Sequence, residues 1–352
     1  MIIKTNPDEF ENFVVDASNF KGNCEAVYFP ENVDEVVAIV KEANTNKTKV
    51  TIAGNGTGLT GARVPQNGIV IATDKLNRIL EINPTEYYAV IEPAVLLSDF
   101  QKELKQQNLF YPPDPTETNC YIGGTVATNA SGAKTFKYGP TRDYVIGLQV
   151  VLPDGEAIDL ERGKQKAIGY ELSLTTQSGK NISLKIPDYT FPAIKNASGY
   201  FVKKDMDAID LFIGSEGTLC IITKIKLKLL PQHDDTISCV LVFEDETTAL
   251  NFLEEARDTS YHNKKKNIND NINALALEFF DERALKFLAK DFSAIPENAQ
   301  AAIWFEQEST SDTFDVILEA WNVLMQSHNV NEETAWFAFS DADKEKIKDF
   351  RH

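Results

Sequence analysis

Two separated glycine-rich stretches constrain this sequence more than any other feature. The first runs from Ala53 to Gly61 (AGNGTGLTG) and the second from Ile122 to Gly132 (IGGTVATNASG). Glycine tolerates positive φ, so consecutive backbone N–H groups in such loops can converge on an anion without basic side chains. One loop of this kind is common, whereas two indicate a dinucleotide held between them.

The first stretch also contains Gly56-x-Gly58-x-x-Gly61 after a strand-like segment, which is the spacing of a nicotinamide-binding Rossmann fingerprint. A Rossmann loop opens directly into a helix, but here residues 64–68 (VPQNG) follow at once, and their proline and glycine stop a helix. An NAD-dependent oxidoreductase is therefore the less favoured enzyme class, and a glycine turn between two strands is the structural alternative.

The length of the chain and its apolar runs limit the number of domains and the cellular location that we expect. A chain of 352 residues predicts two or three cores. No apolar run reaches the length of a signal peptide or a membrane span, so we expect a cytoplasmic protein without a membrane span.

The charge is unevenly distributed along the chain. Residues 1–232 hold 24 Lys and Arg against 28 Asp and Glu, and residues 233–352 hold 11 against 25. This acidity argues against nucleic acid or anionic lipid as a partner. The acidic second part is either a solvated face or a docking surface for a basic redox partner.

Cysteine and histidine are too scattered to form a site. The four cysteines show no C-x-x-C spacing, and the four histidines form no zinc-like group. We therefore predict reduced core cysteines and no metal site within this sequence.

Periodicity predicts two α/β parts in residues 1–232, with a boundary near residue 100. The predicted elements of this region are a helix at 32–44 capped by Asn32, strands at 49–53, 68–73 and 87–92, a helix capped by Ser98, a hairpin at Pro153-Asp154-Gly155, a short helix at 204–211 and a strand at 219–229. From residue 236 the order becomes β-α-β-β-α-β, ending in a strand at 334–339, which is typical of a ferredoxin-like unit.

Five motifs in order resemble the FAD-linked D-2-hydroxyacid dehydrogenases and oxidases, which include D-lactate and D-2-hydroxyglutarate dehydrogenases and the flavin subunit of glycolate oxidase. The motifs are Gly54–Gly61, Pro112–Thr116 (PPDPT), Ile122–Gly132, residues 137–145 (KYGPTRDYV) and Gly214–Leu219 (GSEGTL). The resemblance implies an α+β protein with a vanillyl-alcohol-oxidase-type FAD-binding domain of two α/β subdomains over 1–232. A ferredoxin-like cap or substrate domain over 236–352 would follow it.

The resemblance also implies the residues that hold non-covalent FAD. Backbone amides for the pyrophosphate would come from Gly54, Asn55, Gly56, Thr57, Gly58 and Leu59, and the ribityl and ring region would be lined by Pro113, Asp114 and Thr116. The opposite side would be closed by Gly123, Gly124, Thr128, Asn129, Ala130, Ser131 and Gly132, and the adenosine end would be held by Glu216, Gly217, Ile221 and Ile222. Two positions depart from the family pattern, namely Tyr121, where Thr is common, and Cys220, where Gly is common. Cys120, beside the second loop, is expected to be a buried thiol rather than a covalent flavin anchor.

The implied reaction is hydride transfer from a small D-2-hydroxy acid to the flavin N5. It needs a cation for the substrate carboxylate and a base for the hydroxyl proton. Arg351 stands where the family places such an arginine, although a surface arginine at a helix C-terminus is an equal alternative.

The family's motif for metal and base, two histidines separated by six residues, does not occur in this sequence, which ends at His352. We therefore expect a fragment whose cap is truncated, with the base and any divalent metal in the missing part. A non-catalytic flavin-binding electron-transfer subunit is the alternative. The electron acceptor is left open, and a homo-oligomer is compatible with the sequence.

Overall fold

The computed structural model describes residues 1–192, 194–197, 199–331, 334–338 and 340–351. They form two compact units. The first unit comprises Met1–Ser131 and Pro140–Pro231, and the second comprises Gly132–Gly139 and Gln232–His352. His352, at which the sequence ends, lies outside the described residues.

Strands dominate the first unit. They are β1 Ile2–Lys4, β2 Ala26–Phe29, β3 Val50–Ala53, β4 Ile69–Ala72, β5 Ile79–Asn83, β6 Tyr88–Ile91, β7 Leu109–Phe110, β8 Val145–Val151, β9 Ala157–Glu161, β10 Glu171–Thr175, β11 Asn181–Lys185, β12 Ile221–Lys228 and β13 Leu230–Pro231. The α-helices up to residue 212 are α1 Val33–Asn46, α2 Leu97–Gln106, α3 Ile122–Ala127, α4 Thr135–Tyr138 and α5 Ile209–Phe212, of which α4 lies in the segment that belongs to the second unit.

The first sheet of this unit has the order β1-β2-β4-β3, with β2, β4 and β3 parallel and β1 antiparallel to β2. Helix α1 covers it because Val36, Ile39, Val40 and Ala43 recur at helical spacing and bury one face against the sheet. Asn32 caps this helix as predicted, since its side-chain oxygen accepts a hydrogen bond from the Glu35 N–H at 3.0 Å.

The connection between β3 and β4, residues 54–68, contains no helix although all of it is described. A Rossmann site needs a helix directly after this loop. The structure therefore agrees with the sequence argument against a nicotinamide dinucleotide at this position.

The second sheet has the order β5-β6-β12-β8-β9 and is antiparallel throughout. The predicted hairpin joins β8 to β9, with Gly155 at φ +80° and the Leu152 N–H bonded to the Glu156 carbonyl at 2.8 Å. The alternating strand predicted at 219–229 is confirmed as β12, the middle strand of this sheet. The hairpin formed by β10 and β11 was not predicted.

Two predicted helix boundaries in this unit are wrong. Helix α2 has no side-chain cap at Ser98, because the helix begins one residue earlier, at Leu97, and the Phe100 N–H donates to the Leu96 carbonyl at 3.0 Å. The helix expected at 204–211 is reduced to α5, since Asp205 takes φ +56°, which a right-handed helix excludes.

The second unit has the predicted order β-α-β-β-α-β. Its strands are β14 Asp235–Phe243, β15 Ala276–Asp281, β16 Ala301–Ser309 and β17 Trp336–Ala338, and its helices after α4 are α6 Glu246–Lys266, α7 Glu282–Leu288, α8 Phe314–Ser327 and α9 Asp341–Arg351. The antiparallel sheet has the order β15-β16-β14-β17, as in a ferredoxin-like unit. Phe339, in the strand predicted at 334–339, lies outside the described residues.

The sheet of the second unit is buried on both faces. Successive side chains of a strand point to opposite sides, so each strand contributes to both buried clusters. On one face Phe305 stacks on Trp321 of α8, with ring centroids 3.8 Å apart. On the other face Trp304 and Val240 pack with Phe350 of α9. Residues 301–305 of β16 (AAIWF) therefore read as a continuous apolar run instead of an alternating one.

Candidate cofactor site

One cavity in the first unit, hereafter the glycine cavity, is lined by three loops that carry glycine. These are Gly54–Gly58 after β3, the Gly123-Gly124 pair in α3, and Ser215–Gly217 after α5. The remaining lining residues are Asp16, Ile52, Ala62, Arg63, Thr73, Pro93, Pro115, Glu117, Cys120, Tyr121, Thr125, Ala127, Thr128, Ala130, Cys220 and Ile222. Segments far apart in the sequence thus meet at one concave site.

The first loop is shaped by its backbone hydrogen bonds. The Gly54 carbonyl accepts from Arg63 Nη1 at 2.5 Å, and the Gly56 carbonyl accepts from the Ala17 N–H at 3.0 Å. In a trans peptide the N–H points opposite to the carbonyl, so the N–H groups of Asn55 and Thr57 point away from these partners. Gly56 has φ +77°, and a Cβ added there would lie 2.6 Å from Arg63 Cζ. The loop therefore needs glycine at this position and leaves its amides available to an anion.

The second loop contains two glycines with different surroundings. The Gly123 N–H donates to the Pro93 carbonyl at 2.7 Å, and a Cβ on Gly123 would lie 2.4 Å from Pro93 Cβ. A Cβ on Gly124 would meet nothing within 4 Å. Gly123 is thus needed for close packing of α3, whereas Gly124 leaves space open beside the cavity.

The third loop is fixed to the second by backbone hydrogen bonds. The Gly214 N–H donates to the Val126 carbonyl at 3.0 Å and the Glu216 N–H to the Ala127 carbonyl at 2.8 Å. Positive φ at Gly214, Glu216 and Gly217 makes this turn possible. The second and third loops accordingly form one connected wall.

A buried ion-pair network supports that wall. Arg142 donates to the Ile213 carbonyl at 2.6 Å and pairs with Asp210 at 3.3 Å, and Arg162 pairs with the same carboxylate at 2.9 Å. The backbone N–H of Arg142 also donates to the Asn129 side chain at 2.9 Å. The TRD sequence at 141–143 therefore holds the loops in place from behind.

Charged groups at the glycine cavity are few and closely coupled. Burial lowers the pKa of Arg63, and the nearby Asp74 and Asp16 carboxylates oppose this shift. Burial raises the pKa of Asp74, whose Oδ2 is buried without a hydrogen-bond partner in the described part of the chain. Burial also raises the pKa of the Tyr121 hydroxyl, and the Asp74 charge adds to that effect. These groups form an Arg–Asp–Tyr cluster at the first loop.

The two thiols that line the cavity are protonated at neutral pH. Burial raises the pKa of Cys120 to about 11 and that of Cys220 to about 12. Because the thiolate is the nucleophile, neither side chain is activated for covalent attachment of a ligand.

Most of the residues predicted to hold the cofactor line the glycine cavity. They are Gly54, Asn55, Gly56, Thr57, Gly58, Gly123, Gly124, Thr128, Ala130, Glu216, Gly217 and Ile222. The remaining predicted residues are not among its lining, namely Leu59, Pro113, Asp114, Thr116, Asn129, Ser131, Gly132 and Ile221.

For several of the predicted residues that do not line the cavity, the structure gives a physical reason. Ile221 packs with the core over α1, because it points to the opposite side of β12 from Ile222. Leu59 is 76% exposed, and Gly132 belongs to the second unit. Along the proline-rich segment, Pro115 and Glu117 line the cavity.

Sequence reasoning missed three charged residues of the cavity, Asp16, Arg63 and Glu117. Arg63 follows Gly61 by two positions, and its place just after the glycine-rich stretch was the available signal. Asp16 comes from the N-terminal segment, which no motif singled out.

Arg351 lies in the second unit and already holds a carboxylate. Its Nε and Nη2 are 2.9 and 3.0 Å from the two oxygens of Glu278, and its guanidinium stacks 4.2 Å from the Trp304 ring centroid. This two-point geometry is what an arginine offers to a carboxylate. Its role toward a substrate stays a prediction.

The KYG motif at 137–139 also lies in the second unit and is anchored by Glu308. The Glu308 carboxylate lies 2.6 Å from Lys137 Nζ and 3.2 Å from His233 Nδ1, and it accepts from the Tyr138 hydroxyl. Burial lowers the pKa of His233 more than the Glu308 charge raises it, so the imidazole is neutral at pH 7. Glu308 thereby ties segment 132–139 to the sheet of this unit.

Comparison with known proteins identifies one domain and several relatives. Residues 24–161 match the FAD binding domain family. The D-lactate dehydrogenase of Anaerostipes hadrus is 37% identical over 226 residues, which cover 64% of this chain and 40% of that protein. The glycolate oxidase subunit GlcD of Bacillus subtilis is 29% identical over 299 residues, covering 84% of this chain and 54% of that protein.

The chain thus contains an FAD binding domain and is similar in sequence to FAD-linked dehydrogenases and oxidases. A D-lactate dehydrogenase of Archaeoglobus fulgidus is 31% identical over 298 residues, covering 83% of this chain and 55% of that protein. The chain therefore spans about half the length of these curated relatives.

Structural comparison confirms the predicted fold class. An alkyldihydroxyacetonephosphate synthase superposes with a TM-score of 0.69 at 17% identity, covering 99% of this chain and 64% of that one. The chain thus has the α+β, vanillyl-alcohol-oxidase-type FAD fold.

The described residues hold no group of three or more His, Cys, Asp or Glu arranged to bind a metal ion. Within the same residues no helix is both long and apolar enough to cross a membrane.

Proposed function

We propose that this chain binds FAD non-covalently in the glycine cavity and forms the flavin-binding part of an enzyme that oxidises D-2-hydroxy acids. The observation that carries the proposal is the cavity itself, where three glycine-bearing segments meet and positive φ at Gly56 and Gly217 makes the turns that bring their backbones to the ligand. The named relatives support the substrate class of lactate, glycolate and 2-hydroxyglutarate.

The lining residues fit the parts of a flavin dinucleotide. The amides of Gly54–Gly58 suit the pyrophosphate, and the wall of Glu216, Gly217 and Ile222 suits the adenosine. When bound, FAD supplies the hydride acceptor, and the protein supplies binding and orientation. Dissociable FAD agrees with the protonated state of Cys120 and Cys220.

In the second unit, Arg351 is the proposed carboxylate ligand for the substrate. It holds Glu278 through Nε and Nη2, so a substrate carboxylate would bind through Nη1 or replace Glu278. Arg351→Met should then weaken substrate binding while FAD retention stays unchanged. Glu278→Gln should leave a guanidinium that still binds the substrate.

The cofactor claim is tested by purifying the chain and identifying any flavin released by acid precipitation. We expect FAD, and we expect Gly56→Val to abolish its retention because the side chain would meet the Arg63 guanidinium. Gly179→Val is the matched control, since Gly179 has φ +86° in the β10–β11 turn, where a Cβ meets nothing within 4 Å. A wild-type chain that retains no FAD, or a Gly56→Val chain that retains as much as the control, would refute this site.

The reaction is tested by anaerobic bleaching of the bound flavin. D-lactate, D-2-hydroxyglutarate and glycolate are compared with L-lactate, in this 352-residue chain and in the product of the complete gene. Because a positioned base contributes about 10²–10⁴-fold in rate, we expect little or no bleaching in this chain, bleaching by at least one of the first three acids in the complete product, and none by L-lactate. Flavin that stays oxidised with every acid in both proteins would favour the alternative of a flavin-binding electron-transfer module.

A further inference from the structure

Arg63 carries the sole positive charge among the described residues that line the glycine cavity. It follows the first glycine loop and lies directly behind it, within 3 Å of the Cβ position of Gly56. Three carboxylate residues, Asp16, Glu117 and Glu216, line the same cavity. Residues 1–232, which contain the whole lining, hold 24 Lys and Arg against 28 Asp and Glu, so the three carboxylates leave a mostly negative environment for an anionic ligand.

Hydrogen bonds hold the Arg63 guanidinium firmly in this place. Nη1 donates to the Gly54 carbonyl at 2.5 Å, Nε donates to the Val15 carbonyl at 3.2 Å, and Nη2 donates to the Asn12 carbonyl. These contacts use one N–H group on each nitrogen, whereas a guanidinium has five N–H groups. All three acceptors are neutral carbonyls, so they orient the guanidinium without neutralising its charge.

The carboxylates near Arg63 leave its charge incompletely balanced. Neither Asp16 nor Asp74 forms an ion pair with it at contact distance, although both raise its pKa through space. The Asp74 carboxyl is itself partly buried, and its Oδ2 has no hydrogen-bond partner in the described part of the chain. An oriented cation beside a loop of outward-facing amides is the arrangement that favours a doubly charged anion.

Resting on the FAD function proposed above, we propose that Arg63 is the counter-charge for the FAD pyrophosphate, in addition to anchoring the loop. The glycine amides alone would supply shape and partial charges. Arg63 would supply the full charge that an acidic chain otherwise lacks at this site. For unit charges about 7 Å apart at an effective dielectric constant of about 20, this interaction changes affinity on the order of 10- to 100-fold.

The test separates charge from anchoring with Arg63→Lys and Arg63→Gln. The Kd is measured by quenching of flavin fluorescence for FAD and for riboflavin, which has no phosphate, and the Tm of each ligand-free variant is recorded. We expect Arg63→Gln to weaken FAD on the order of 10- to 100-fold, with riboflavin affinity unchanged, and Arg63→Lys to retain most of the FAD affinity. Arg78→Gln is the control, because Arg78 pairs with Glu92 in the same unit, 66% exposed, and is outside the cavity lining.

A second variant keeps the test decisive where Arg63→Gln loses stability. Arg63→His carries a charge only at low pH, so its FAD affinity should rise from pH 8 to pH 5.5 by more than the wild-type affinity does over the same range. The wild-type profile is the reference because Asp16, Asp74 and Tyr121 also face this position. Equal losses in the Lys and Gln variants, equal losses for FAD and riboflavin, or a His variant that follows the wild-type profile would each overturn the proposal. Absence of FAD binding by the wild-type chain would instead refute the proposed function.

Discussion

The two adjacent glycines of α3 provide a stringent test of the structure, because the same substitution should have opposite effects at the two positions. A methyl group on Gly123 would lie 2.4 Å from Pro93 Cβ and 2.8 Å from the Pro93 carbonyl oxygen. Carbon atoms in favourable contact are about 3.5–4.0 Å apart. Neither the proline ring nor its backbone can rotate away as a flexible side chain would. On Gly124 the same methyl group would meet nothing within 4 Å.

The expected difference in stability between Gly123→Ala and Gly124→Ala follows from two free-energy contributions. Replacing glycine by alanine inside a helix contributes up to about 1 kcal/mol of stability, and this term applies to both variants. Overpacking costs about 1–3 kcal/mol, and this term applies to Gly123→Ala alone. The difference between the variants is therefore about 1–3 kcal/mol, with Gly124→Ala the more stable. At about 2–4 °C per kcal/mol for a unit of this size, their Tm values should differ by about 2–12 °C.

Thermal unfolding of the ligand-free chains, followed by circular dichroism, measures this difference. Flavin binding then supplies the opposite ranking, since the Gly124 methyl group enters the space beside the cavity and should weaken FAD binding despite its higher Tm. Equal Tm values for the two variants, or a lower Tm for Gly124→Ala, would show that α3 does not pack on Pro93 as described.

Three further predictions concern the first unit. Asp210→Ala should cost about 3 kcal/mol in urea unfolding because it leaves Arg142 and Arg162 without their shared buried carboxylate, and a loss below about 1 kcal/mol would contradict the buried network. Burial raises the pKa of Asp74 in the folded chain, so this group favours folding at low pH and loses that contribution as the pH rises through its folded pKa. Asp74→Asn should therefore raise the Tm at pH 7.5, and this gain should vanish below about pH 4; a gain that does not depend on pH would refute this reasoning. Finally, Ellman's reagent should modify only Cys24 rapidly in the folded chain, since the other three cysteines are buried, and a second fast thiol would show that a buried one is accessible.

Local sequence patterns predicted the features of the fold that are set by residues close together in the sequence. The Asn32 cap, the hairpin at Gly155 and the strand order of the second unit follow from short-range rules, and the glycine motifs identified three loops of the cavity. Ser98 is not the cap of α2, because the helix begins at Leu97, whose N–H donates to the Cys120 carbonyl from a distant part of the sequence.

Other features depend on register and on distant contacts. Whether Ile221 or Ile222 faces the cavity is set by the pairing of β12, which a sequence pattern of apolar residues on both sides cannot decide. Arg63 became significant only because Asn12 and Val15 come together around it.

Residues 132–139 belong to the second unit, although the chain on either side of them belongs to the first. This arrangement affects the order in which the units can fold during synthesis and how a gene can be divided to express them. Synthesis proceeds from the N-terminus, so Lys137 and Tyr138 leave the ribosome long before Glu308, their partner on β16. The first unit is itself incomplete until β12, the middle strand of its second sheet, has been synthesised. A gene fragment that begins at residue 232 would encode the sheet of the second unit but leave the Glu308 carboxylate buried without two of its donors. The two units therefore cannot be expressed separately by a single cut in the gene, because residues 132–139 lie between the two segments of the first unit.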